Sequence, residues 1–152
     1  MSGVRLSRDY MQSMQAKGWG RIQFISSESA FNIPADMVHY GMTKSAIQGI
    51  SRGLAKALAG TGVTVNTILP GPTKTEGAIL IMQQIAQEQG ITLEQAESYF
   101  IEKHRNSSII RRFAEPKEIA NMVFTLHQNR PVQQQVQHYV WKAELLIVFI
   151  NI

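Results

Sequence analysis

Val63-Thr-Val-Asn-Thr-Ile-Leu69, cut by Pro70-Gly-Pro72, is the stretch on which the fold turns. Its β-branched side chains suit a buried pleated strand, and the proline-glycine cluster ends it. Immediately upstream, Gly60-Thr-Gly62 closes a long helix expected over Tyr40 to Ala59. Before that helix lies a loop from Ser27 to Val38 containing Pro34, and before the loop a strand at Arg21 to Ser26. Strand, helix and strand in that order make a right-handed βαβ unit in a parallel sheet, so the predicted class is α/β.

Further out, Val4, Leu6, Tyr10, Met11 and Met14 recur among polar residues, as in an amphipathic helix over Val4 to Ala16 stopped by Gly18 and Gly20. Downstream, helices are expected over Glu76 to Gln89 and Leu93 to His104, around the break at Gly90. Another starts at Pro116, a residue favoured in a first helical turn, and runs to about His127. The composition then changes. No glycine follows Gly90, Gln128 to Gln137 is polar and rich in Gln, and Leu145-Leu-Ile-Val-Phe-Ile150 is wholly apolar. Residues 1–127 therefore form the ordered region, and 128–152 a divergent tail, expected either to be unstructured or to fold back as a substitute strand beside Val63 to Leu69.

With 152 residues, 44% of them hydrophobic and 17% charged, the chain is long enough for one domain with its own core, and disorder is excluded. The net charge of +4 is scattered except at Lys103, Arg105, Arg111 and Arg112, which reads as a solvated face and not as a nucleic-acid surface. The lack of cysteine removes disulfides, thiolate metal sites and thiol nucleophiles, and is compatible with a reducing cytoplasm. No metal site is read from the sequence. Met1 to Tyr10 lacks the apolar run of a signal peptide, and Leu145 to Ile150 is far too short to cross a bilayer, so no membrane partner is expected.

Chemistry concentrates at Ser27, Tyr40 and Lys44. A phenol and an ammonium four residues apart share one helix face, and the serine closes a nearby strand. A phenol of ordinary pKa about 10 is a poor base at neutral pH. A positive charge at about 4 Å favours the phenolate by about 4 kcal/mol at an effective dielectric near 20, against about 1 in bulk water. Lys44 can thus activate Tyr40 only in a shielded site. The phenol would then exchange a proton with a carbonyl or alcohol oxygen while the Ser27 hydroxyl donates to the same oxygen. Such a site needs a separate hydride source.

Four motifs in order carry a resemblance: Gly20-Arg-Ile with Ile25-Ser-Ser27, Tyr40-Gly-Met-Thr-Lys44-Ser-Ala46, Val63-Thr-Val-Asn-Thr-Ile-Leu-Pro-Gly71, and Arg112-Phe-Ala-Glu-Pro116-Lys-Glu-Ile-Ala120. Together they resemble the catalytic half of the short-chain dehydrogenase/reductase family. The resemblance implies a partial Rossmann-like fold, a doubly wound parallel sheet in three α/β/α layers. It also implies NAD or NADP as cofactor and a small carbonyl or alcohol substrate. On it, Ser27 orients the substrate, Tyr40 is the acid/base, and Lys44 tunes the tyrosine and holds the nicotinamide ribose. Pro70, Gly71 and Thr75 match the loop that holds the nicotinamide ring, and the helices between Glu76 and His104 match the variable substrate lid. Pairing with a second copy or a related chain is implied through the first helix and the tyrosine helix, where Gly41, Ser45, Gly49 and Gly53 form a small-residue stripe equally suited to core packing.

The departures bear on function. The family's Gly-rich pyrophosphate turn and its Asn-Asn-Ala-Gly segment are not in these residues, its further catalytic asparagine would fall just ahead of Met1, and its usual C-terminus is replaced. Two expectations follow: an oxidoreductase by descent that is inactive as an isolated piece, or a non-catalytic remnant or interaction module that pairs with a full-length relative.

Overall fold

The computed structural model describes residues 1–128 and 136–141. Chain order is α1 (Ser2–Ala16), β1 (Gly20–Ile25), a 3-10 turn (Glu28–Ala30), α2 (Val38–Ala57), β2 (Val63–Pro70), α3 (Glu76–Gln89), α4 (Leu93–His104), α5 (Pro116–His127) and β3 (Val136–Trp141). The strands form one parallel sheet in the order β1-β2-β3. Its register runs from Gly20 opposite Val63 to Ile25 opposite Ile68, and from Val65 opposite Val136 to Pro70 opposite Trp141.

The expected elements are present, with shifts at their ends. Helix α2 begins at Val38 and stops at Ala57, because the chain enters tight turns at Leu58 to Thr61, where the Thr61 hydroxyl donates to the Leu58 carbonyl at 2.6 Å. Gly60 and Gly62 follow with φ of 77° and 73°, and at Gly62 a Cβ would stand 2.2 Å from the Gly18 carbonyl oxygen, so this close approach of two turns admits only glycine. β1 ends at Ile25 and not Ser26, since Ser26 keeps the ladder bond to Ile68 but turns its side chain to α2. The expected loop contains the 3-10 turn, started by Ser27. α3 ends at Gly90 in the left-handed conformation, φ 64°, and a Thr92–Gln95 capping box starts α4.

In the tail, the strand beside β2 is Val136–Trp141, a run rich in valine and aromatics. The apolar window Leu145 to Ile150 lies outside the described residues.

Ala55 of α2 and Leu58 just past its end pack on Val63 and Val65 of β2, with Met11 and Met14 of α1 and Ile22 and Phe24 of β1 closing the cluster. Helices α1 and α2 thus cover one face of the sheet. Thr64 and Asn66, which point to the opposite face by strand alternation, are buried too, so both faces of β2 are covered. A second cluster joins Met82 of α3, Ala96 and Ile101 of α4, and Phe113, making α3 and α4 a hairpin with its own small core. No helix among the described residues is long and apolar enough to cross a membrane.

At the start of α5, Arg112 grips both oxygens of Glu118 at 2.7 and 3.0 Å, and Glu118 also accepts the Glu115 N–H. The guanidinium first, then that backbone donor, hold the Glu118 carboxyl down from the usual 4.5 to about 2. A folded pKa below the unfolded one contributes stability that is complete above the unfolded value and is lost as pH falls through the folded one. Melting curves between about pH 5 and pH 2 are expected to show a smaller loss of Tm in Glu118→Gln than in the parent chain.

Candidate active site

Because β1 and β2 are parallel, their carboxyl ends lie side by side, and α2, running back between them, sets its first turns at that same end. Open α/β sheets bind their ligands there. Two hydrogen bonds tie the end of β1 to α2. Ser26 Oγ donates to the Lys44 carbonyl at 2.9 Å, and Lys44 Nζ donates to the Ile25 carbonyl at 3.4 Å. The same ammonium lies 5.4 Å from the centroid of the half-buried Tyr40 ring. Lys44 thus reaches the tyrosine on its own helix face and the strand that leads into Ser27.

Ser27 is extended and accepts the Ser29 N–H on its Oγ at 3.1 Å. A hydroxyl used as acceptor still has its proton to donate. The turn that follows is pinned from α2 by Ser45, whose Oγ donates to the Ala30 carbonyl at 2.6 Å. Ser26 and Ser45 thus brace the Ser27 turn on α2, a role that the sequence marks only by their adjacency to Ser27 and Lys44.

Pro70, Gly71 and Thr75 enter from the end of β2. Pro70 and Gly71 are half-buried, and the Thr75 hydroxyl caps α3 by accepting the Ala78 N–H at 3.3 Å. The loop is fixed in place by backbone bonds, Lys74 N–H to the Ala114 carbonyl at 2.9 Å and Ala114 N–H to the Pro72 carbonyl at 2.8 Å. Lys74 adds ion pairs to Glu115 at 3.1 Å and Glu97 at 3.5 Å, and these carboxylates hold its ammonium above the ordinary lysine value. Glu97 in turn accepts the Phe113 N–H at 2.7 Å, so α4 helps to hold the loop.

The small-residue stripe divides. Gly41 packs against Ile33 and Ser45 bonds Ala30, whereas a Cβ at Gly49 or Gly53 would meet nothing within 4 Å. Among the described residues, no group of three or more acidic or histidine side chains is placed to hold a metal ion.

A parallel βαβ unit with a Tyr-Lys pair at the carboxyl end of its strands defines a class, and comparison with known proteins agrees. The short chain dehydrogenase profile matches residues 1–89, and the chain belongs to the short-chain dehydrogenase/reductase family. Two uncharacterized oxidoreductases of Bacillus subtilis (strain 168) are similar. YvaG is 44% identical over 81% of this chain and 47% of its own length, and YvrD is 40% identical over 83% and 48%. Among solved structures, L-sorbose reductase from Gluconobacter frateurii, in complex with NADPH and L-sorbose, superposes with a TM-score of 0.84 at 27% identity, covering 93% of this chain and 52% of that one. The chain thus spans about half the length of the relatives it matches.

Proposed function

We propose that this chain supplies the catalytic half of a nicotinamide-dependent oxidoreductase that interconverts a carbonyl and an alcohol, with Ser27, Tyr40 and Lys44 as the reacting residues. The observation that supports this most directly is the placing of the Lys44 ammonium, anchored on the Ile25 carbonyl and lying beside the Tyr40 ring at the end of the strand that leads into Ser27. Tyr40 gives a proton to the substrate oxygen in reduction and takes it back in oxidation. Ser27 donates its free O–H to the same oxygen as negative charge develops there. Lys44 lies beside the phenol, and its remaining N–H groups suit the ribose hydroxyls of the cofactor. Bound NAD or NADP would supply or accept the hydride. The Pro70, Gly71 and Thr75 loop would hold the nicotinamide ring, and its anchoring through Lys74 and Ala114 suits that task.

Among the described residues, those at the candidate site suit the nicotinamide riboside. Gly18, Gly60 and Gly62, all with positive φ, precede β1 and β2 and so stand at the amino ends of the strands, away from the candidate site. The isolated 152-residue chain is therefore expected to bind NAD(P)H with a Kd weaker than about 0.1 mM. A fusion that places the first half of the Bacillus relative YvaG ahead of Met1 is expected to bind it at least tenfold more tightly, on the order of 1.4 kcal/mol, and to oxidise NAD(P)H with ketone substrates. Calorimetry and absorbance at the nicotinamide band measure these. Micromolar binding by the isolated chain would refute the half-site account, and a folded fusion with no turnover on a broad ketone panel would refute the oxidoreductase.

A second reading, pairing with a full-length relative, is supported by the outer faces of α1 and α2, where Leu6, Tyr10, Val38 and Met42 are each more than half exposed. Sedimentation of the chain mixed with that relative separates it from the first.

A further inference from the structure

Glu28 follows the candidate serine directly, and its side chain is only 8% exposed. Arg105, the C-cap of α4 and itself 16% exposed, donates its Nε to Glu28 Oε1 across a sequence separation of 77 residues. Arg105 Nη1 also donates to the His104 carbonyl at 2.7 Å, which fixes the guanidinium against the end of its own helix. A carboxylate buried to this degree is costly without a partner, so the pair holds the serine turn and the end of α4 together.

The other ties around this turn come from its own backbone, from α2 and, through the Ser26 N–H bonded to the Ile68 carbonyl at 2.8 Å, from β2. Phe31 and Asn32 donate their N–H groups to the Glu28 carbonyl at 3.0 Å, Ser26 Oγ bonds the Lys44 carbonyl, and Ser45 Oγ bonds the Ala30 carbonyl. Ser27 thus stands between one neighbour fastened to α2 and another fastened to α4. We propose that Arg105 is a positioning residue for Ser27: acting through Glu28, it makes the orientation of the serine hydroxyl depend on the docking of α4 against the serine turn. The geometry stands by itself, and only the consequence for catalysis rests on the oxidoreductase reading. A substrate that seats the α3–α4 hairpin would thereby also set its own hydrogen-bond donor.

Amide hydrogen exchange on the full chain, followed by NMR, tests the coupling without cofactor or turnover. Ser29 is the direct reporter, because its N–H bonds Ser27 Oγ. In Arg105→Met, exchange at Ser29, Ala30, Phe31 and Asn32 is expected to rise at least about tenfold while the β2 amides stay within about twofold. Arg105→Lys, which keeps a cation, is expected to restore most of the protection. Glu28→Gln, of nearly equal volume, should reproduce the Arg105→Met effect, and the double variant should exceed neither single change. Unchanged protection at Ser29 in both single variants would overturn the proposal. So would a uniform loss over the turn and β2 that Arg105→Lys does not relieve. If Arg105→Met does not fold, Glu28→Gln decides alone. Failure here leaves the oxidoreductase reading intact, since that is judged by turnover of the fusion.

Discussion

Tyr40→Phe in the fusion with the YvaG half is expected to lower kcat by at least about 10²-fold, the low end of what a positioned acid/base contributes. Phenylalanine keeps the ring that packs beside Lys44 and loses only the hydroxyl. A matching fall in kcat and kcat/KM, with unchanged melting, would therefore place the lost interaction in the transition state. Ser27→Ala should cost about 10²-fold or more by removing the donor to the developing oxyanion. The Ser29 N–H that Ser27 Oγ now accepts would also lose its partner, so some of that loss belongs to the turn. Lys44→Met should affect KM for the cofactor as well as kcat, because Lys44 is assigned both to the ribose and to the tyrosine. Substantial turnover in Tyr40→Phe, within about threefold of the parent, would refute the assignment.

The legible parts of this molecule are the local ones. Tyr40 and Lys44 share a face because helical spacing brings residues four apart together, and the strand β2 declared itself by its β-branched run. Ser27 followed from ending a short strand. What the sequence concealed depends on distance along the chain. Lys103, Arg111 and Arg112 are exposed, as a solvated basic face requires, but Arg105 turns inward onto Glu28 with only 16% of its side chain exposed. No local period marks a contact across 77 residues. The small-residue stripe divides for a geometric reason. Steps of four residues drift about 40° each around a helix, so Gly41 and Ser45 face the serine turn while Gly49 and Gly53 have rotated to an open side. For the tail the sequence leaves two outcomes open, an unstructured stretch or a strand beside β2, because which segment reaches β2 is set by chain length and closure rather than by composition.

Ending the chain at Gln128 is expected to lower its Tm by roughly 10–20 °C or to drive it into aggregates. The reason lies in β2. Val65, Thr67, Ile68 and Leu69 are fully buried, and β3 pairs with β2 at every position from Val65 to Pro70. Removing β3 turns a central strand into an edge with unpaired backbone donors and acceptors. At about 0.5–1.5 kcal/mol net for each backbone bond, losing even half a dozen costs roughly 3–9 kcal/mol. A domain's whole stability is about 5–15 kcal/mol, so this is no marginal loss. A second truncation, after Trp141, separates the strand from the apolar window Leu145 to Ile150. It keeps β3 and removes an uncharged segment of high β-propensity, so it should preserve the melting temperature and reduce self-association. Size-exclusion chromatography and thermal melting of the three chains decide between the two roles of the tail. If the chain ending at Gln128 melts as cooperatively and as high as the parent, β3 does not complete the sheet, and the tail acts on this protein only through its tendency to aggregate.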